Sequence, residues 1–254
     1  MRKTIVALEN VWVHYNGEPA LQDVSIKIRE GDFLGIIGPN GGGKTTLLKV
    51  ILGLLKPSRG RVTVLGRNPR ESHSRVGYVP QASLFDKYFP ISAWQVTLMG
   101  CYGNTGLFRR YTAEDREMAG EALKRVGMWQ YRNRQIGELS GGQQKRVFIA
   151  RALSTNPAIM LLDEPMESVD SKVQTEFYEL LQELHQEMAI VLVSHDVTAV
   201  SIYVDEIACL NQKLVYHGPK EISDEVLEGT YQCPVHLIAH GTIPHRVLKE
   251  HPDA

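Results

Sequence analysis

Gly38-Pro39-Asn40-Gly41-Gly42-Gly43-Lys44-Thr45 fits the pattern G-x-x-x-x-G-K-[ST]. It stands between an apolar run, Asp32-Phe33-Leu34-Gly35-Ile36-Ile37, and a segment from Thr45 to Leu55 that reads as a helix. A glycine-rich turn from strand to helix points successive backbone N–H groups at phosphate oxygens, and the helix adds the positive end of its dipole. Lys44 then reaches the β- and γ-phosphates, and the Thr45 hydroxyl ligates Mg²⁺. The strand before, the helix after and the full spacing set this stretch apart from a chance glycine-rich turn.

Outward from the loop, Val11 to Tyr15 and Val24 to Ile28 alternate partly, as short strands do, and Pro57-Ser58-Arg59-Gly60 stops the helix with a turn. Arg61–Leu65 and Val76–Val79 read as further strands. From Gln81 the character changes. Thr112-Ala113-Glu114-Asp115 resembles a capping box opening a helix toward Val126, and Gly141 to Leu153 reads as another helix. Apolar strands return at Ile159–Leu162, Ile190–Val193 and Glu206–Leu210, with a helix from about Ser171 to Met188 between the first two. Strands alternating with helices predict an α/β fold with a largely parallel sheet, and roughly 82–155 reads as a helical insertion.

Three further stretches carry chemistry. Ile159-Met160-Leu161-Leu162 ends in Asp163-Glu164. A carboxylate at the end of a buried strand is costly unless paired or bound to metal, so Asp163 is a candidate Mg²⁺ holder. Glu164, on the other face, is the candidate general base for an attacking water. Ser194-His195-Asp196 follows a strand, and a donor at His195 can reach a γ-phosphate. Leu139-Ser140-Gly141-Gly142-Gln143 opens a helix with a good N-cap serine and two glycines that let an anion approach the backbone. By itself that is only a helix start.

LSGGQ lying between a phosphate loop and an Asp-Glu strand resembles one family, the ATP-binding cassette (ABC) ATPases, over about residues 5–220. The resemblance implies a P-loop NTPase with a RecA-like mixed-sheet core, an antiparallel β part and a helical subdomain. It divides a single nucleotide-binding domain, 1–254, into a core (1–81 and 156–222), a helical subdomain (82–155) and a C-terminal tail (223–254). It implies that residues 38–46, through Thr46, bind ATP, with Tyr15 stacking on the adenine. Gln81 becomes the Q-loop residue that touches Mg²⁺ and water, beside Thr45 and Asp163. His195 helps position Glu164 and the water, and Asp170 belongs to the D-loop. Ser140, Gly141, Gly142 and Gln143 contact the γ-phosphate of ATP held by a second copy, so the working unit is an ATP-dependent homodimer. Gly42 and Thr45 stand where alanine and serine are common, and Met166-Glu167 is less usual for the D-loop.

Net charge is −1, so no global basic field recruits nucleic acid or anionic lipid. No apolar run approaches the roughly 18–20 residues that span a bilayer, and the apolar stretch after Met1-Arg2-Lys3 is too short for a signal peptide. Cys101, Cys209 and Cys233 are widely separated, which suits a reducing compartment. The expectation is a cytoplasmic subunit, peripheral on the inner face of the membrane through permease partners.

Asp86 to Ile91, Val96 to Gly103 and Leu107 to Arg110 resemble the zinc and manganese uptake branch, which implies an importer fed by an extracytoplasmic metal-binding protein. Another cargo, such as a metal chelate, stays open. In this family the stretch after the Q-loop receives the permease, so Tyr88, Phe89 and Trp94 are expected to contribute there. Non-transport ABC proteins fit less well: no sustained heptads lie between Lys44 and Ser140, and only one cassette is present. A GTPase would carry Asn-Lys-x-Asp. The tail holds Cys233 and four of the nine histidines, His236, His240, His245 and His251. Thiolate and imidazole suit zinc. His236, His240 and His245 are spaced partly like one helix face, although Gly241 and Pro244 interrupt a helix. A metal sensor, a solvated tail and a dimer contact all remain open.

Overall fold

The computed structural model describes residues 2–81, 89–102, 110–166, 171–221, 223–231, 235–240 and 243–248. The chain forms two compact units, residues 1–70 with 191–254, and residues 71–190.

In the first unit, β1 (Thr4–Tyr15) and β2 (Glu18–Arg29) pair antiparallel across a two-residue turn, Asn16-Gly17. Both turn residues have positive φ, 50° and 89°, the geometry whose twist suits a tight hairpin. β4 (Arg59–Val64) pairs with the other edge of β1, giving the order β2-β1-β4. β1 is longer than the Val11–Tyr15 stretch expected. A register shift between Leu8 and Val11, with Asn10 at φ 49°, breaks the alternation there, so the sequence pattern looks interrupted while the strand continues. Both segments still bury their apolar residues, Ile5, Val6 and Leu8 before the shift and Val11 and Val13 after it.

A second sheet in this unit pairs β3 (Phe33–Ile37) parallel with β8 (Glu206–Asn211), and β9 (Lys213–Pro219) antiparallel with β8. Every residue of β3 is buried, as in a strand covered on both faces. Helix α1 (Lys44–Ile51) buries Leu47, Leu48 and Ile51. It ends four residues before the expected Leu55 because Gly53 turns to φ 71°. Helices α7 (Val197–Tyr203) and α8 (Asp224–Tyr231) and a two-stranded hairpin, β10 (Val235–His240) with β11 (Ile243–Leu248), complete the unit.

In the second unit, β5 (Val76–Val79) pairs parallel with β6 (Ile159–Asp163). Its helices are α3 (Ala93–Leu98), α4 (Ala113–Arg125), α5 (Gly141–Leu153) and α6 (Ser171–His185). The short helix α2 (Pro69–Ser72) and strand β7 (Ala189–Ser194) run across the boundaries between the units. α3, α4 and α5 pack together, with Val96, Ala119, Leu123, Val147 and Phe148 buried. Each opens on a full capping box: Ser92 with Gln95, Thr112 with Asp115 as the sequence predicts, and Ser140 with Gln143. No helix among the described residues is long and apolar enough to cross a membrane.

All five residues of β6 are buried, which makes this strand the support for the carboxylates at its end. Leu162 has no exposed surface. Leu162→Ala is expected to destabilise the fold by about 2–5 kcal/mol, through lost burial and the cavity left behind. The shift in a urea unfolding midpoint at unchanged slope measures it.

Candidate functional site

The first unit supplies the phosphate loop. A Cβ on Gly38 would come within 1.9 Å of the Leu210 carbonyl oxygen at the end of β8, so the backbone approach tolerates only glycine. The loop is also pinned from the β8–β9 turn. Gln212 N–H donates to the Gly42 carbonyl (2.7–2.9 Å bonds throughout this cluster, here 2.8 Å), and Gln22 N–H donates to the Gln212 carbonyl at 2.7 Å. The Gln22 amide also donates to the Gln212 side-chain oxygen at 2.9 Å. The Lys44 ammonium, 5% exposed, donates to the carbonyls of Gly38 (2.9 Å) and Pro39 (3.0 Å). It thus caps its own loop. Asn40 and Gly41 are exposed, and Gly43, Thr45 and Thr46 are half-buried. Tyr15, at the β1–β2 turn, is 44% exposed. His195 is exposed just beyond β7, where the Asp196 N–H donates to the Ser194 hydroxyl at 3.0 Å.

The second unit carries the acidic residues. Asp163 is 1% exposed at the end of β6, and Glu164 is 8% exposed. Burial, and then the Asp163 charge, pushes the Tyr78 phenol up to about 12, so Tyr78 stays neutral at ordinary pH. Glu164 is held at φ 45°, a region that non-glycine residues avoid, and such strain concentrates at functional positions. The Gln81 amide donates to the Glu164 carboxylate at 3.1 Å. Two residues 83 positions apart in the sequence therefore meet.

Ser140 caps α5: its hydroxyl accepts from the Gln143 N–H at 3.3 Å, and the Gln143 side-chain oxygen accepts from the Ser140 N–H at 3.1 Å. Ser140 and Gly141 are exposed. A Cβ on Gly142 would come within 2.5 Å of the Val173 side chain on α6, so this glycine has a packing reason besides any ligand. Asp170 lies outside the described residues.

Four residues that support these groups were not singled out from the sequence. Gln22 and Gln212 brace the phosphate loop, but they are 190 positions apart and nothing local marks them. Lys145 on α5 donates from its ammonium to the Pro165 carbonyl, one residue past Glu164. Arg151 donates to the Tyr78 carbonyl at 3.5 Å, and burial lowers its pKa. Its position on the inner face of an amphipathic helix was the available signal. Of the three aromatics expected to be exposed, Phe89 is 56% exposed. Trp94 is half-buried against Trp129, edge to face at 6.1 Å, and Tyr88 lies outside the described residues. Cys101 and Cys209 are buried thiols, Cys209 pushed up to about 11 by burial.

Within the second unit, Gln81 and Asp163 carry amide and carboxylate oxygens, donors of the hard type that Mg²⁺ takes.

Known proteins resemble this chain over most of its length. The ABC transporter family profile matches residues 21–167. The manganese transport system ATP-binding protein MntB of Bacillus subtilis (strain 168) is 44% identical over 229 residues, 89% of this chain and 92% of that protein. The zinc uptake system ATP-binding protein ZurA of Listeria innocua is 42% identical over 219 residues, 84% and 85% of the two chains. Among solved structures, a chain of an ABC transporter described as metal-chelate type, in an inward-facing conformation, superposes with TM-score 0.85 at 27% identity and covers 98% of both chains. A nucleotide-free ATP-binding cassette from an ABC transporter gives TM-score 0.77 at 28% identity, covering 91% of this chain and 96% of that one. With the family profile matching more than half of its length and curated relatives above 40% identity over most of it, the chain belongs to the ABC transporter family as an ATP-binding cassette.

Proposed function

We propose that this chain is the ATP-hydrolysing subunit of a membrane importer of divalent metal ions, zinc or manganese. Similarity to manganese and zinc transport ATP-binding proteins over nearly the whole chain carries this reading. The working form is a homodimer seated on integral membrane permeases at the inner face of the membrane, fed by an extracytoplasmic metal-binding protein. Residues 1–81 and 156–222 act as its nucleotide core and 82–155 as the helical part.

In the cycle, Tyr15 stacks on adenine while Gly38 to Thr46 wrap the phosphates. Lys44 exchanges its two loop carbonyls for phosphate oxygens. Thr45, Asp163 and Gln81 would hold Mg²⁺, which would neutralise phosphate charge. Glu164 takes the proton of the attacking water, Gln81 orients it, and His195 donates to the γ-phosphate. Ser140 to Gln143 act on the ATP of the second copy, so closure of the dimer completes each site.

The permease is taken up by the helical unit. A groove of about 290 Å³ is lined by Tyr78, Met99, Gly100 and Arg151. Met99 and Tyr102 are half exposed although apolar, and Phe89 belongs to the same part of the chain. This combination fits an inserted apolar element of a partner.

Two tests separate these claims. Zinc-65 or manganese-54 uptake by cells bearing the intact transporter should stop when the chain is deleted and return with the wild-type gene; uptake that persists without it removes the transport reading. Ser140→Arg puts a cation at a helix N-terminus and removes a cap worth about 1 kcal/mol. It should leave monomeric ATP binding intact and abolish the ATP-dependent dimer on size exclusion. A dimer that still forms would remove the role in trans.

A further inference from the structure

Between Lys49 and Arg70 the chain carries six cations, Lys49, Lys56, Arg59, Arg61, Arg67 and Arg70, and no carboxylate. The whole chain has 28 lysines and arginines against 29 acids, so this stretch is a local positive field in a molecule of net charge −1. It runs from the last turn of α1 through β4 to the start of α2, all within the first unit. A cavity of about 380 Å³ opens there. Lys56, Arg61 and Arg70 line it together with the apolar Val50, Leu55 and Val62, and no acidic residue among the described ones does. Glu9 stands opposite Arg61 in the β1–β4 pairing but is not part of the cavity wall.

The three cations are held differently. Arg70 is fixed in place: its N–H donates to the Asn68 side-chain oxygen at 3.1 Å, and its Nε donates to the Gly53 carbonyl at 3.3 Å, just past the end of α1. Lys56 and Arg61 have no hydrogen-bond or ion-pair partner among the described residues, so their donors are open to a ligand. Like charges gathered around one cavity repel, and an anion entering it relieves that repulsion. Guanidinium matches phosphate oxygens with a planar fork, and ammonium adds a compact charge. Three cations also balance a doubly charged phosphate better than a single carboxylate. The volume falls within the range of about 300–1,000 Å³ usual for small-molecule sites. We infer that this cavity binds a small organic phosphate, its phosphate on Lys56, Arg61 and Arg70 and its apolar body against Val50, Leu55 and Val62. The phosphate loop lies at the other end of α1, whose eight residues span about 12 Å, so the two anion sites are separate. The site stands whether or not the chain energises metal uptake.

The test titrates phenyl phosphate into the full chain by calorimetry, with Mg²⁺ and ADP saturating the phosphate loop. One phenyl phosphate per chain is expected, and inorganic phosphate, which lacks the apolar body, should bind at least about threefold more weakly. Lys56→Gln and Arg61→Gln combined in one chain should weaken phenyl phosphate at least about tenfold, the effect of losing one charge-assisted bond. Both side chains are exposed, so the core is untouched, and an ATP affinity equal to wild type confirms a folded chain. A phosphate monoester on an apolar body occurs in soluble metabolites and in the headgroup of phosphatidic acid. Vesicles of phosphatidylcholine containing phosphatidic acid separate these sources: displacement of phenyl phosphate assigns the site to the headgroup, and retention assigns it to a soluble phosphate. No binding of phenyl phosphate by the wild-type chain, or undiminished binding by the double variant, overturns the site.

Discussion

Glu164→Gln is expected to bind ATP normally, to release phosphate about 10²–10⁴-fold more slowly, and to accumulate as an ATP-bound dimer. The substitution is nearly isosteric, so the strained backbone at φ 45° and the burial of the side chain are kept. The contact with Gln81 is kept as well. Its amide donates to one Glu164 carboxylate oxygen at 3.1 Å, and the carbonyl oxygen of a glutamine accepts that bond equally. Only the capacity to take a proton from water is lost. Steady-state phosphate release and size exclusion in the presence of Mg²⁺ and ATP measure the two effects. Turnover within tenfold of wild type would remove Glu164 as the base. A slow mutant that failed to dimerise would point instead to damage at Pro165, whose carbonyl accepts from Lys145 on the LSGGQ helix.

That bond has a broader consequence. The helix that begins at Ser140 and the strand that ends at Asp163 belong to one unit, and Lys145 ties the first to the backbone just past Glu164. Gly142 lies so close to Val173 that α5 and α6 pack directly on each other there. The segment proposed to reach a neighbour's ATP is thereby fastened to the segment proposed to hydrolyse its own. Hydrolysis in one copy and release of the other can share a single mechanical element, with no longer relay between them.

What the sequence made legible were features with a fixed short spacing. The phosphate loop, the Asp-Glu strand end and the capping box at Thr112 each occupy fewer than about ten residues and have a local physical cause. Gln81 was legible only through its family, since a glutamine after a proline signals nothing by itself; its partner Glu164 is supplied by the parallel pairing of β5 with β6. Gln22 and Gln212 were illegible because their pairing depends on a strand and a turn meeting from opposite ends of the chain. β1 was under-read because a bulge at Asn10 disrupts the period of two on which strand reading depends. In the tail, a spacing of four fits a helix face and a strand face alike. The β-branched Val235, Ile238, Ile243 and Val247 around Gly241 were the signal favouring a hairpin.

Lys44→Ala is expected to raise the dissociation constant for ATP about a hundredfold, or about 2.7 kcal/mol, and to abolish measurable hydrolysis. One charge-assisted hydrogen bond contributes about 1.5–3 kcal/mol, so a hundredfold loss corresponds to one or two such bonds to phosphate. The ammonium already spans 2.9–3.0 Å bonds to Gly38 and Pro39, and alanine leaves both carbonyls without this donor. Part of the loss therefore comes from a less ordered loop in the free protein, separate from the missing phosphate contact. Lys44→Arg distinguishes the two contributions. A guanidinium keeps the charge and can still donate to the loop carbonyls, but its planar fork is longer and cannot replace a compact ammonium at the phosphates. If loop order dominates, Lys44→Arg should bind ATP nearly as well as wild type. If phosphate contact dominates, it should resemble Lys44→Ala. The phosphate contact is expected to dominate, because Gly42 stays bonded to Gln212 and Gly38 stays packed on Leu210 whatever side chain stands at 44. Titration with a fluorescent ATP analogue reads all three proteins, and unchanged affinity in Lys44→Ala would contradict the assignment of the loop.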